Sequence, residues 1–273
     1  MCRVLGCVAR EPVSIRHELL EADNPFIRQS ENHDSGWGIA AHLRAEGEAP
    51  ELHRLPNAAH ADSGFTPATE LRGRIFNAHV RRSTIGGLTL ENTHPFTLGN
   101  YSFSHNGTVL RYPRLLVPGT RTPDGDTDSE AMFCRLMRDF DPAAPVGSLR
   151  ALAEACIDSG PFSALNFLFS DGERLYAYRL GVFELHWLTR PGRLLIASER
   201  LTDGEPWHTV QQDVLLVADP SDPSEPHAER LVGDAALARA EIRDVAEGSH
   251  LRGEARGEFA AARAAELAGL HAS

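Results

Sequence analysis

Two segments with helical spacing, Ser129 to Phe140 and Leu149 to Ile157, divide a chain otherwise written in short apolar strand runs. Before them, strands are expected at Cys2 to Ala9, Trp37 to Leu43, Ile75 to Val80 and Tyr101 to Ser104. After them come five successive strand runs: Ser163 to Ser170, Leu175 to Arg179, Phe183 to Leu188, Leu194 to Ser198 and Val214 to Ala218. Asp171-Gly172 supplies a hairpin turn between the first two of these. Strands, then two helices, then more strands predict an α+β fold with antiparallel sheets rather than alternating βαβ units.

The linking segments fit that frame. Ile15 to Ala22 reads as a short amphipathic helix, Gly47 to Pro67 as a surface excursion, and Pro113 to Gly125 as a loop rich in Pro, Gly and Thr. Thr127 with Glu130 three residues on has the pattern of a capping box. From about Pro220 the composition shifts to Pro, Ser, Asp and Glu, which suggests a main domain over 2–220 and an extension over 221–273. Glu254 to Leu270 in that extension is Ala-, Arg- and Glu-rich and is expected to be helical.

Bulk properties exclude several functions. The net charge of −11 over 273 residues argues against a basic nucleic-acid surface. Every one of the 27 basic residues is arginine, so Schiff-base and P-loop lysine chemistry are ruled out. No apolar run approaches the ~20 residues needed to span a bilayer, and the start has no signal-peptide core. The cytoplasm and no membrane contact are the expectation. Cys2, Cys7, Cys134 and Cys156 form no Cys-x-x-Cys and fit no zinc spacing. The last three fall in an apolar strand and two helices, and are expected to be buried thiols.

Cys2 is different. Cysteine is small enough for the initiator methionine to be removed before it, which would leave Cys2 with a thiol and a free α-amine. Such an amine has a pKa of about 7.7–8.0 and is partly unprotonated near neutrality. A nucleophile that carries its own base is an established catalytic arrangement.

Five further segments follow in order: Asp34-Ser35-Gly36-Trp37-Gly38, His79-Val80-Arg81-Arg82-Ser83-Thr84-Ile85-Gly86, Asn92-Thr93-His94-Pro95-Phe96, Ser104-His105-Asn106-Gly107 and Thr127-Asp128-Ser129-Glu130. Together with the penultimate cysteine, this order resembles the class II glutamine amidotransferases, the N-terminal-cysteine branch of the Ntn hydrolases, and within them the stand-alone bacterial type. The resemblance covers roughly residues 2–220. It implies a four-layer αββα sandwich with antiparallel sheets.

It also implies roles. Cys2 would be nucleophile and base. The Asn106 amide and the Gly107 N–H would form the oxyanion hole. Arg81 would clamp the substrate α-carboxylate, with Thr84 completing the His-x-Arg-x-x-Thr-x-Gly pattern. Asp128 would accept the α-ammonium. Trp37 and Gly38 would form pocket wall, with His94 beside the substrate. His79, His94 and His105 are expected as hydrogen-bonded scaffolding; no metal and no cofactor are expected. The implied reaction is hydrolysis of a γ-glutamyl amide, of glutamine or of a conjugate, through a thioester. Ammonia would go to a separate synthase subunit or to water. The γ-glutamyl hydrolase of ergothioneine biosynthesis is one alternative, and a catalytically silent binding fold is another.

Overall fold

The computed structural model describes residues 2–43 and 47–244. Its strands are β1 (Arg3–Val13), β2 (Trp37–His42), β3 (Glu51–Leu55), β4 (Gly73–Val80), β5 (Phe96–Leu98), β6 (Tyr101–Val109), β7 (Phe162–Ser170), β8 (Leu175–Arg179), β9 (His186–Arg190), β10 (Arg193–Ala197), β11 (His208–Thr209), β12 (Val214–Asp219) and β13 (Asp222–Arg230). The helices are α1 (Arg16–Leu20), α2 (Phe26–Gln29), α3 (Phe65–Ala68), α4 (Asp128–Asp139), α5 (Pro145–Ser159) and α6 (Asp234–Leu237).

The strands form a seven-stranded sheet in the order β11-β9-β10-β1-β4-β2-β3 and a six-stranded sheet in the order β13-β12-β8-β7-β6-β5. All named strand pairings are antiparallel. Strand alternation distributes the apolar residues into three layers. On β1, Leu5 and Cys7 face outward and pack with Phe76, Ala78, Leu19, Phe26 and Phe65 in a core under α1, α2 and α3. Val4 and Val8 face inward, where Ile75, Leu194 and Ile196 meet Leu168, Ala177 and Leu216 of the other sheet. On that sheet's outer face, Phe103, Phe167 and Tyr178 pack beneath Met132, Phe133 and Leu136 of α4 and Leu149 and Leu152 of α5. The section is therefore α, β, β, α, the four-layer sandwich that the resemblance implied.

Several boundaries depart from expectation. The excursion at 47–67 contains the edge strand β3 and the short helix α3, whose Phe65 is buried. β6 continues to Val109, so His105-Asn106-Gly107 lies within a strand instead of at the turn that ends one. Residues 222–230 form β13, paired with β12, so the boundary drawn at 220 falls inside a hairpin of the six-stranded sheet. The helix expected at Glu254 to Leu270 lies outside the described residues. No described helix is long and apolar enough to cross a membrane.

Candidate active site

Cys2 directly precedes β1, in the middle of the seven-stranded sheet, and has the inward parity of Val4 and Gly6. The β1–β4 register pairs Arg3 with Val80, so Cys2 lies where β4 runs out into Arg81 and Arg82. The residue is 9% exposed, and its thiol donates to the Arg82 carbonyl at 3.6 Å. Burial pushes the thiol pKa up; the bond to Arg82 and the Arg81 charge oppose that rise, while Asp128 adds to it. At rest this is a thiol, which needs a base on attack. Cys7, Cys134 and Cys156 are buried free thiols; burial pushes Cys7 and Cys134 up to about 12 and raises Cys156 as well.

Arg81 is positioned from two directions. The turn Asp34-Ser35-Gly36 extends the β2–β4 ladder: Ser35 N–H donates to the Arg81 carbonyl at 2.9 Å, and Arg81 N–H to the Gly36 carbonyl at 2.7 Å. The buried guanidinium then donates to the Gly87 carbonyl at 2.8 Å, the Ile85 carbonyl at 2.7 Å and Ser83 Oγ at 3.3 Å. The fork is oriented by the loop it wraps, and five guanidinium donors leave capacity beyond these acceptors. Thr84 Oγ1 lies 3.1 Å from Thr108 Oγ1, which ties that loop to β6.

Asn106 is 1% exposed and its Oδ1 has no partner among the described residues. It stands opposite Asn166 of β7 in register. Gly107 needs to be glycine: a Cβ there would collide with the Ala164 carbonyl and come within 2.7 Å of His105 Nε2. The ladder shifts register just after it.

Asp128 heads α4. Thr127 caps that helix, its Oγ1 accepting from Glu130 N–H at 3.1 Å. The reciprocal half of the capping box is absent, because the Glu130 carboxylate accepts instead from the N–H groups of Asp124 at 2.8 Å and Gly125 at 2.7 Å. Asp128 Oδ2 accepts from Val109 N–H at 2.8 Å and lies 3.8 Å from His105 Nδ1. Burial raises the Asp128 pKa, and His105 and the backbone donors work against that.

The histidines divide. His105 Nδ1 pairs with Ser129 Oγ at 2.9 Å and its Nε2 with the Ala164 carbonyl at 3.0 Å, locking β6 to α4 and β7. His79 and His94 stack face to face with centroids 4.0 Å apart. His79 Nε2 reaches the His105 carbonyl at 3.3 Å, whereas neither ring nitrogen of His94 has a partner among the described residues. The His94 ring is thus held by stacking on His79, without the hydrogen bonds expected of it among the described residues. Burial pushes all three pKa values down, so the rings are neutral. Gly38 is needed here: a Cβ would strike the His94 carbonyl.

Trp37 requires a correction. Its ring faces outward with Ile39 and Ala41, packs edge-on against Phe65 at 5.1 Å, and donates Nε1–H to Asp62 at 2.9 Å. Successive strand residues face opposite ways, so only Gly38 of that pair looks inward. Sequence reasoning also missed Asn92, which donates to Asp126 Oδ1 at 2.6 Å and accepts from Asp126 N–H at 2.9 Å. That exchange fastens the Arg81 side of the site to the α4 approach. On the other side of Cys2, Ser198 Oγ accepts from Val4 N–H at 3.0 Å, which ties the end of β10 to β1.

The profile of the family described as "Glutamine amidotransferases class-II" matches residues 1–193. The chain belongs to the class II glutamine amidotransferases. Among curated relatives of this amidotransferase, an uncharacterised protein of Methanocaldococcus jannaschii is 34% identical over 215 residues, covering 73% of this chain and 58% of that one. The chain thus spans less than two thirds of that relative's length. A gamma-glutamyl-hercynylcysteine sulfoxide hydrolase of Mycobacterium tuberculosis is 28% identical over 224 residues, covering 77% of this chain and 89% of the relative. Among solved structures, a glutamine aminotransferase class-II domain protein from Silicibacter pomeroyi matches this amidotransferase with a TM-score of 0.61 at 20% identity, over 85% of this chain and 100% of that one. That likeness concerns the fold.

Proposed function

We propose that the protein hydrolyses the γ-glutamyl amide of glutamine or of a γ-glutamyl conjugate through a thioester on Cys2. The observation that carries this reading is geometric: buried Cys2 lies beside the end of β4, where its thiol donates to the Arg82 carbonyl at 3.6 Å next to the Arg81 guanidinium loop. Arg81, at the end of β4, and Asp128, at the start of α4, are close enough for their charges to act on that thiol. A γ-glutamyl substrate offers a matching set: a reactive carbonyl, an α-carboxylate and an α-ammonium.

Removal of Met1 puts the α-amine on Cys2. The amine takes the thiol proton as sulfur adds to the γ-carbonyl carbon. The Asn106 side-chain amide and the Gly107 N–H receive the developing oxyanion; one such donor contributes roughly 10²–10³-fold in turnover. The C–N bond then breaks, the amine departs with the proton, and water cleaves the thioester to release glutamate. Arg81 holds the α-carboxylate, with Thr84 steadying the loop around it, and Asp128 holds the α-ammonium. The Mycobacterium tuberculosis relative, named as a γ-glutamyl hydrolase and matched over most of its length, supports hydrolysis as the outcome.

Glutamate release from glutamine and from γ-glutamyl-p-nitroanilide, measured for the wild type and for Cys2→Ala, tests the reading. Release by the wild type alone supports it. Equal release by Cys2→Ala ends it.

A further inference from the structure

A cleft of about 450 Å³ opens beside Asn106, lined among others by Arg3, Phe183, Glu184, Ser198 and Arg200. We propose, resting on the γ-glutamyl reading above, that this cleft receives the amine side of the scissile bond, and that the preferred substrate is a γ-glutamyl conjugate of an α-amino acid with an apolar side chain.

Position is the first argument. In the seven-stranded sheet β1 lies between β4 and β10. Arg81 follows β4 on one flank of Cys2. Ser198 to Arg200 follow β10 on the other. A γ-glutamyl group with its α-carboxylate at Arg81 and its carbonyl between Cys2 and Asn106 directs its amide nitrogen away from Arg81, towards the β10 flank.

Size is the second. The leaving group of glutamine is ammonia, about the size of a water, whose share of liquid volume is roughly 30 Å³. The cleft is far larger and falls in the range of about 300–1,000 Å³ typical of small-molecule sites.

Construction is the third. The wall at 182–184 is fastened by Asn166, the cross-strand partner of Asn106, whose Nδ2 donates to the carbonyls of Phe183 at 3.1 Å and Glu184 at 3.3 Å. Arg179 Nε adds a bond to the Phe183 carbonyl at 3.1 Å. The same asparagine pair thus serves both the reacting carbonyl and the cleft wall.

Charge is the fourth. Glu199 is paired with Arg3 and accepts from Asn24 at 3.4 Å. Glu184 lies 3.2 Å from His186 Nε2, a ring that burial keeps neutral, and its charge is opposed by that of Arg179. Arg200 is exposed and forms no ion pair among the described residues, so the uncompensated charge in the cleft is a cation suited to a carboxylate. Phe183 and the exposed Val182 lie on the same wall and offer apolar contact. A free amino acid is the first product, leaving with the proton lifted from the thiol; glutamate is the second.

The test compares kcat/KM for γ-glutamyl-L-phenylalanine, γ-glutamyl-L-phenylalaninamide and L-glutamine, for the wild type and Arg200→Met. The expected result is a preference of about tenfold or more for the free carboxylate over its amide, with the conjugate also ahead of glutamine, and loss of the carboxylate preference in Arg200→Met. Equal rates for the acid and the amide, or glutamine as the best substrate, overturn the cleft assignment and leave the γ-glutamyl reading standing. No turnover of any of the three by a protein with a processed Cys2 overturns both.

Discussion

The two flanks of Cys2 are built differently. On the β4 flank, the Arg81 side chain is buried and its guanidinium is held by carbonyls of the loop it wraps. Asn92 and Asp126 exchange two hydrogen bonds, and Glu130 gathers two backbone donors. On the β10 flank a cleft is open and Arg200 has no ion pair among the described residues. The contrast suggests a division of labour: a closed, pre-ordered flank for the half of the substrate that does not vary, and an open flank for the half that does. Preorganisation contributes most where geometry is fixed.

The largest expected effect belongs to the residue between the flanks. Cys2→Ala should lower turnover by roughly 10⁴-fold or more, as removal of a nucleophile does, while the thermal midpoint stays nearly constant. A steady-state assay beside a melting curve checks both halves. Asn106→Ala should reduce kcat by roughly 10²–10³-fold on every γ-glutamyl substrate alike. A loss confined to conjugates would place Asn106 in the cleft and not at the carbonyl.

Arg81→Lys should raise KM by about tenfold or more, because a point charge cannot copy the fork. It should do so equally for glutamine and for conjugates, and an unchanged KM would dissolve the distinction between the flanks. Asn92→Ala removes the tie to Asp126 and should lower stability by about 1–2 kcal/mol, measured by denaturant unfolding, with a smaller rise in KM than Arg81→Lys.

The last prediction concerns pH. Burial holds His33 and His42 down to about 4, and lowers His79, His94 and His105 too. In the unfolded chain these rings protonate near pH 6.5. The unfolded state therefore binds more protons below that pH, so stability is full above about 6.5 and is lost as pH falls towards 4. Midpoints measured across that window should fall steadily, and a flat profile would contradict neutral buried rings.

Much of this was legible in the chain. Both long helices, the Thr127 cap, most of the longer strands and the buried state of Cys7, Cys134 and Cys156 followed from periodicity and local chemistry; the order of the strands within the sheets did not. Short edges such as β5 and β11 were not, because two or three residues carry no period. β3 was hidden because an edge strand alternates only between half-exposed and exposed positions. Trp37 was misplaced because it was read with its neighbour Gly38, whereas a strand sends the two to opposite faces. The bonds of Asn92 to Asp126 and of Glu130 to Asp124 join loops whose approach is set by tertiary packing, and a capping-box pattern cannot announce that its glutamate will turn elsewhere.

The reading proposed above stands on Cys2 as a processed, reactive amino terminus in a pocket that takes a γ-glutamyl group. The mass of the N-terminal peptide, before and after incubation with a diazoketone analogue of glutamine, tests it most directly. The account predicts a peptide that begins at Cys2 and gains the mass of the inhibitor. A peptide that keeps Met1 and gains nothing would contradict it.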